Sequence, residues 1–239
     1  MDLVNPIVRR WLGEADEDPD GFWARAAAEL HWFRRWDSVF VPEKPSFRWF
    51  AGGLTNLAYG ALDRHVAAGR GGRAALVYAN ERGERRVFTY AQLLHEVERT
   101  AAALRGMGVG KGDRITLYMP TTPEAIALML AAVRIGAIHC VVFAGFGAKA
   151  LGDRIAASGS RLVFTSDVTF RKGRETRLKP IVDDALAPGG TAVEHVVVMK
   201  RSDRQDLGNP LGHGDSDLAT ARRRSLEDDL GIDSRRGDE

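Results

Sequence analysis

A single cysteine, Cys140, among 239 residues rules out an internal disulfide. It sits inside an apolar run and reads as a core residue rather than a nucleophile, since a reactive thiol needs an accessible, electropositive setting. No cysteine pair and no H-E-x-x-H sequence occurs, so no metal site is expected, and no G-x-x-x-x-G-K-[ST] loop offers a phosphate cradle. No apolar run approaches the roughly 20 residues that span a membrane. Met1-Asp2-Leu3-Val4 lacks the basic-then-apolar pattern of a signal peptide. A cytoplasmic protein with no membrane partner is therefore expected. The formal charge of +2 is too small to argue for nucleic acid. With 44% hydrophobic and 28% charged residues, the composition is that of a soluble globular chain long enough to bury a core.

The stretch from Lys111 to Gly147 contains a complete strand, turn, helix, strand and glycine loop. Ile115 to Tyr118 are β-formers after a Gly112-Asp113 turn, and Pro120 ends the strand. Thr122-Pro123-Glu124 then supplies a capping hydroxyl, a proline at the first helical position and an acid in the first turn. That helix runs to Ile135 and is stopped by Gly136. Ile138 to Phe143 is nearly continuous apolar sequence, the pattern of a parallel strand covered on both faces. Ala144 to Gly147 follows at the carboxyl end of the sheet, where α/β proteins place their ligands.

On either side the pattern is extended. All five tryptophans fall within residues 1–50, and Phe22, Trp23, Ala26, Leu30 and Phe33 recur at helical spacing, so an N-terminal helical cap is expected there. Trp49 to Gly53 reads as a loop, and Asn56 as the cap of a helix through Leu62 and Val66. Ala75–Ala79 and Arg86–Tyr90 read as a hairpin, and Thr89 as the cap of a helix carrying Leu93, Val97, Ala101 and Leu104. Gly106, Gly108, Gly110 and Gly112 follow a helix and precede a strand, the reverse of a dinucleotide fingerprint, and are read as turns. Further elements are expected at Lys149–Ala157 (helix), Arg161–Thr165 (strand), Leu178–Leu186 (helix) and His195–Met199 (strand). The fold class is then α/β: the cap over 1–50, then a doubly wound, mostly parallel sheet over 51–200. In 201–239, 17 of 39 residues are charged and none is aromatic, so this segment reads as a disordered or aberrant tail.

Two features have ligand-binding chemistry. The loop Phe143 to Gly147 has small residues through which backbone can approach a ligand closely, although a glycine after a strand is more often just a turn. Arg171-Lys172-Gly173-Arg174 sets two forked guanidiniums and an ammonium around a flexible turn, suited to phosphate, although a solvated basic turn has the same composition. Both follow strands expected to lie side by side, which favours one joint site. No catalytic residue is assigned. His65, isolated on an amphipathic helix, reads as a structural contact.

Taken together, Trp49 to Gly53, Leu62 to His65, Thr89-Tyr90, Gly108 to Arg114, Tyr118 to Pro120, Ala132 to Ala137 and Val141 to Phe146 resemble the acetyl- and propionyl-CoA synthetases, AMP-forming acyl-CoA ligases of the adenylate-forming superfamily. The likeness runs from about Trp23 to Met199. It implies a two-step reaction: a short carboxylic acid attacks ATP to give an acyl-adenylate and pyrophosphate, and the CoA thiol then displaces AMP. It also implies that the loop at Phe143-Ala144-Gly145 and the turn at Arg171-Lys172-Gly173-Arg174 hold the CoA nucleotide. Arg171 and Arg174 would meet phosphates, and Phe143 and Gly145 the adenine. Ala144, where the family usually has a second glycine, would narrow that contact. The family's Thr/Ser/Gly-rich phosphate loop and catalytic lysine are not found in these residues, so ATP and magnesium binding belong only to the full-length family. The chain is expected to be an N-terminal portion, inactive alone and open to self-association. The alternative is a non-catalytic module that binds CoA or a partner.

Overall fold

A computed structural model describes residues 5–201 together with Ser216–Asp217. The chain divides into two compact units, Met1–Arg64 and His65–Glu239. Apart from Arg201 and Ser216–Asp217, the expected tail lies outside the described residues.

In the first unit, α1 (Pro6–Glu17) starts at Asn5, whose side chain accepts from the Ile7 N–H, and α2 (Pro19–Ala28) starts at Asp18, which accepts from Gly21; each has proline at its first position. Helix stops at Ala28, so the stripe through Leu30 and Phe33 does not continue on it, and both side chains are exposed. The expected helical cap is present as α1 and α2, and an antiparallel hairpin follows it within the same unit. Ser38–Glu43 (β1) and Ser46–Ala51 (β2) form an antiparallel hairpin, so Trp49 to Ala51 is strand rather than loop. Alternating Val39, Val41, Phe47 and Trp49 suit a pleated ribbon better than a helix. The ribbon is held by cross-strand rings, with Phe40 and Trp49 centroids 4.9 Å apart. Asn56 accepts from the Tyr59 N–H and opens a short π-helical segment, Tyr59–Asp63.

The second unit contains the sheet. β3 (Ala74–Ala79) and β4 (Arg85–Thr89) form the expected hairpin, and Thr89 with Gln92 makes a capping box for α3 (Tyr90–Gly106). β5 (Arg114–Tyr118), α4 (Pro123–Arg134), β6 (Ile138–Val141), α5 (Ala148–Ser158), β7 (Leu162–Ser166), α6 (Lys179–Leu186) and β10 (His195–Met199) lie where their sequence signals place them. A second hairpin, β8 (Val168–Arg171) with β9 (Arg174–Arg177), separates β7 from α6. All pairings in the main sheet are parallel, in the order β11-β10-β7-β5-β6, with the backbone of Ser216–Asp217 (β11) beside β10.

Alternation along β5 sends Ile115 and Leu117 to one face and Thr116 and Tyr118 to the other. Tyr118, Val163, Val196 and Val198 form a core with Leu151 and Ile155 of α5 and Val182 and Ala185 of α6. Ile115, Leu117, Leu162 and Phe164 are equally buried on the opposite face, on the side of the mutually packed α3 and α4. The sheet is therefore doubly wound.

Two expectations about the sheet fail. The apolar run at Ile138 to Phe143 is not covered on both faces, because β6 is the open edge among the described residues, with Ile138 and Val141 each 55% exposed. β6 and β7 are also not neighbours; β5 lies between them.

The first turn of α4 is tied to the β3–β4 hairpin by Arg86, whose guanidinium donates to Glu124 at 2.6 Å. Partial burial pushes the Glu124 carboxyl up, but hydrogen bonds from Arg86, its own backbone and Thr122, with the Arg86 charge, outweigh this and hold it below the usual carboxylate range. A carboxyl lowered on folding adds stability above roughly pH 4.3 that is lost as pH falls through its folded value. Between about pH 5 and 3 the wild-type chain should lose stability more steeply than Glu124→Gln, read from urea midpoints at each pH; parallel slopes would show that the pair carries no pH-linked stability.

Candidate functional site

The carboxyl ends of β6 and β7 open on the same side of the sheet, and the two segments singled out in the sequence meet there despite the intervening strand. The loop after β6 turns back at once, the Phe146 N–H bonding the Phe143 carbonyl at 3.0 Å. Phe143 lies over Gly145 so closely that a Cβ there would fall 2.4 Å from the ring, so any larger residue would displace the ring. Phe143 nevertheless remains 56% exposed. Ala144 is half-buried and packs on the α5/α6 core, which makes it an anchor of the loop. Phe146 meets Phe143 edge-on at 5.9 Å and carries the Arg154 guanidinium at 4.7 Å from its ring.

The basic segment is the connection of a tight hairpin. Arg171 pairs with Arg174 across it, leaving Lys172-Gly173 as a two-residue loop with φ of 53° and 71°. Positive φ at both positions is the backbone of a type I′ turn, which glycine adopts freely and lysine does not. The turn projects Arg171, Lys172 and Arg174 into solvent, and among the described residues none of the three forms an ion pair. Arg171 connects the two segments. Its guanidinium carbon lies 5.3 Å from the centre of the Phe143 ring. The result is an open ledge with an aromatic ring on one side and three cations on the other. It can stack a planar base and pair with anionic oxygens, two kinds of contact that a phosphorylated nucleotide combines.

Several residues that build the ledge were not singled out as site residues in the sequence. Tyr118, fully buried at the end of β5, donates its hydroxyl to the Phe146 carbonyl at 2.6 Å, and its own carbonyl accepts from Thr165 at 2.8 Å. Burial raises the Tyr118 phenol above its ordinary range, so it stays a protonated donor. Asp167, also buried, accepts from the Val168 and Arg201 N–H groups, each at 2.8 Å, where the chain leaves β7 for β8. Glu81, at the tip of the β3–β4 hairpin, accepts from the Lys172 and Gly173 N–H groups at 2.8 and 3.2 Å. Phenol-to-loop and loop-to-loop pairings of this kind have no local sequence signature. His65 lies outside the site, its ring 4.6 Å from that of Tyr90, consistent with a structural contact.

Known proteins resemble both units of this chain. The family model of the acetyl-coenzyme A synthetase N-terminus matches residues 9–61, and that of the AMP-binding enzymes matches residues 63–228, so the likeness extends beyond Trp23 to Met199 at both ends. Acetyl-coenzyme A synthetase of Deinococcus radiodurans is 48% identical over 196 residues, covering 81% of this chain and 30% of that protein. 3-Hydroxypropionyl-coenzyme A synthetase of Sulfurisphaera tokodaii is 48% identical over 190 residues, covering 78% of this chain and 29% of that one. The solved acetoacetyl-CoA synthetase from Streptomyces lividans superposes with a TM-score of 0.75 at 26% identity, over 87% of this chain and 32% of that structure. The chain thus spans about 30% of the length of the curated relatives it matches. No helix among the described residues is long and apolar enough to cross a membrane.

Tyr118→Phe tests the support of the ledge without touching its surface. The Phe146 carbonyl would lose its donor, which should cost about 1 to 2 kcal/mol in urea denaturation and speed amide exchange in residues 144–147. Unchanged exchange there would show that the loop holds itself.

Proposed function

Because the chain belongs to the AMP-binding enzyme family, we propose that it serves the AMP-forming conversion of a short carboxylic acid, such as acetate or propionate, into its CoA thioester, and that its own part is to hold the CoA nucleotide. The observation that carries this reading is the position of Arg171 over Phe143, which joins the aromatic loop to the basic turn in one surface. The adenine would lie against Phe143, whose ring is seated over Gly145. The phosphates would be met by Arg171 and Arg174, with Lys172 adding a third positive charge. Guanidiniums suit this task, since their planar forks pair with two phosphate oxygens at once and stay charged at any relevant pH.

What the chain's own residues would supply is binding and orientation. Adenylation needs a clamp on the transferring phosphoryl oxygens. The Thr/Ser/Gly-rich loop and lysine that the family resemblance assigns to that step do not occur in the 239 residues.

Charge-assisted phosphate contacts are worth roughly 1.5 to 3 kcal/mol each when well made. On an open ledge, screened by salt and free to move, they should yield affinity near the millimolar range, about 4 kcal/mol. Calorimetric or fluorescence titration at low salt should show CoA binding more tightly than dephospho-CoA. Arg174→Ala should erase that difference with the fold intact, and is a cleaner probe than Arg171→Ala, which also strips the contact with Phe143. Equal binding of the two ligands by folded wild-type protein would overturn the phosphate assignment.

A further inference from the structure

The Lys172-Gly173 loop places two successive backbone N–H groups side by side, a concavity of the kind that binds anions. It already holds one. Both oxygens of the Glu81 carboxylate are used, Oε2 accepting from Lys172 at 2.8 Å and Oε1 from Gly173 at 3.2 Å. The segment that delivers Glu81 is itself fixed: the Asn80 side-chain oxygen accepts from the Arg82 and Glu84 N–H groups at 3.0 and 3.1 Å, and its amide donates to the Glu84 carboxylate at 2.9 Å. Next to Glu81, the Arg82 guanidinium lies 4.4 Å from the centre of the Phe170 ring, one residue before Arg171. Two hairpin tips about 90 residues apart in sequence are thus docked, with a cavity of about 250 Å³ between them lined in part by Tyr78, Asn80, Thr121 and Phe170.

We propose that Glu81 is a positioning residue for the basic turn: its carboxylate is the resident anion of the Lys172-Gly173 nest and holds Lys172 in the left-handed conformation that aims Arg171, Lys172 and Arg174 at a phosphate-bearing ligand. This rests on the reading of that turn as the phosphate contact. Lysine is a poor occupant of the first loop position of a type I′ turn, so the turn depends on support from outside, and a bidentate carboxylate on its two amides provides it. A competing role, in which Glu81 blocks the site as a built-in substitute for the ligand, would require it to neutralise the cations. Among the described residues it instead engages only backbone and forms no ion pair with Arg171, Lys172 or Arg174. The ligand's charges and the Glu81 carboxylate therefore use different donors on the same turn.

A double-mutant cycle on the full 239-residue chain tests this, with CoA as probe and thermal melts to show that each variant is folded. Glu81→Ala should weaken CoA binding about fivefold, within the range of coupling expected for contacting residues. Lys172→Gly loses an ammonium but adopts the turn unaided, so in that background Glu81→Ala should change affinity by less than about twofold. Glu81→Gln, which keeps one acceptor but not the charge, should fall between wild type and Glu81→Ala. In parallel, NMR on the ligand-free chain should show the Lys172 and Gly173 amide protons moving upfield and exchanging faster in Glu81→Ala. That readout needs no ligand and stands even where CoA and dephospho-CoA bind equally, the result that would defeat the phosphate reading itself. Tighter CoA binding by Glu81→Ala would identify a blocking residue. Unmoved amide protons, or an equal effect of Glu81→Ala in both backgrounds, would likewise overturn the positioning role.

Discussion

One buried side chain ties the ledge to the core. Tyr118 ends the central strand β5, packs in the α5/α6 core, and still reaches the Phe146 carbonyl with its hydroxyl, while its own carbonyl takes the Thr165 hydroxyl from β7. The two chain segments of the site are therefore anchored at the same point, one through the loop after β6 and the other through the end of the strand that leads into β8. Parallel pairing makes this possible. It sends β5, β6 and β7 out of the sheet at one edge, so that the loops leaving the three strands are gathered there.

The ledge so built is ordered more by its backbone than by strong side-chain contacts. An exposed cation over an aromatic ring is worth about 0.5 to 1 kcal/mol, too little to fix Arg171 by itself. Its placement comes instead from the β8–β9 hairpin, whose loop is clasped by Glu81 and whose entry is set by Asp167. The cations are held close together without carboxylate partners among the described residues, and their mutual repulsion is tolerated because all three lie in water. An anion that bridges them relieves that repulsion, which is the physical sense in which the turn suits a phosphate better than a neutral ligand.

Much of this was legible in the sequence, for reasons that are local. Thr122-Pro123-Glu124, Thr89 with Gln92, and Gly136 are caps and stops that act within a few residues, and they fall at helix ends in the structure. The short apolar runs at 115, 162 and 195 became the parallel strands. The two candidate segments at 143–145 and 171–174 do face one another. What could not be read depends on partners far away in the chain. An apolar run such as Ile138 to Phe143 has the same pattern in a covered strand as at an open edge, and only the strand order decides which. The helical stripe at Phe22 to Phe33 ends before the hairpin over 38–51, whose Lys44-Pro45 connection carries no Asn-Gly or Asp-Gly signal to mark it. Glu81 has no local signature as a clasp, because its two partners lie more than 90 residues downstream.

The central claim is that Phe143 and the basic turn act on one ligand at one place. It is tested most directly by transferred nuclear Overhauser measurements on the chain with CoA at low salt, with the Phe143 ring selectively labelled. Contacts between the adenine protons and the Phe143 ring, lost in Arg174→Ala as binding weakens, are the expected result. Adenine contacts to other aromatic residues with none to Phe143, in protein that still binds CoA, would contradict the account.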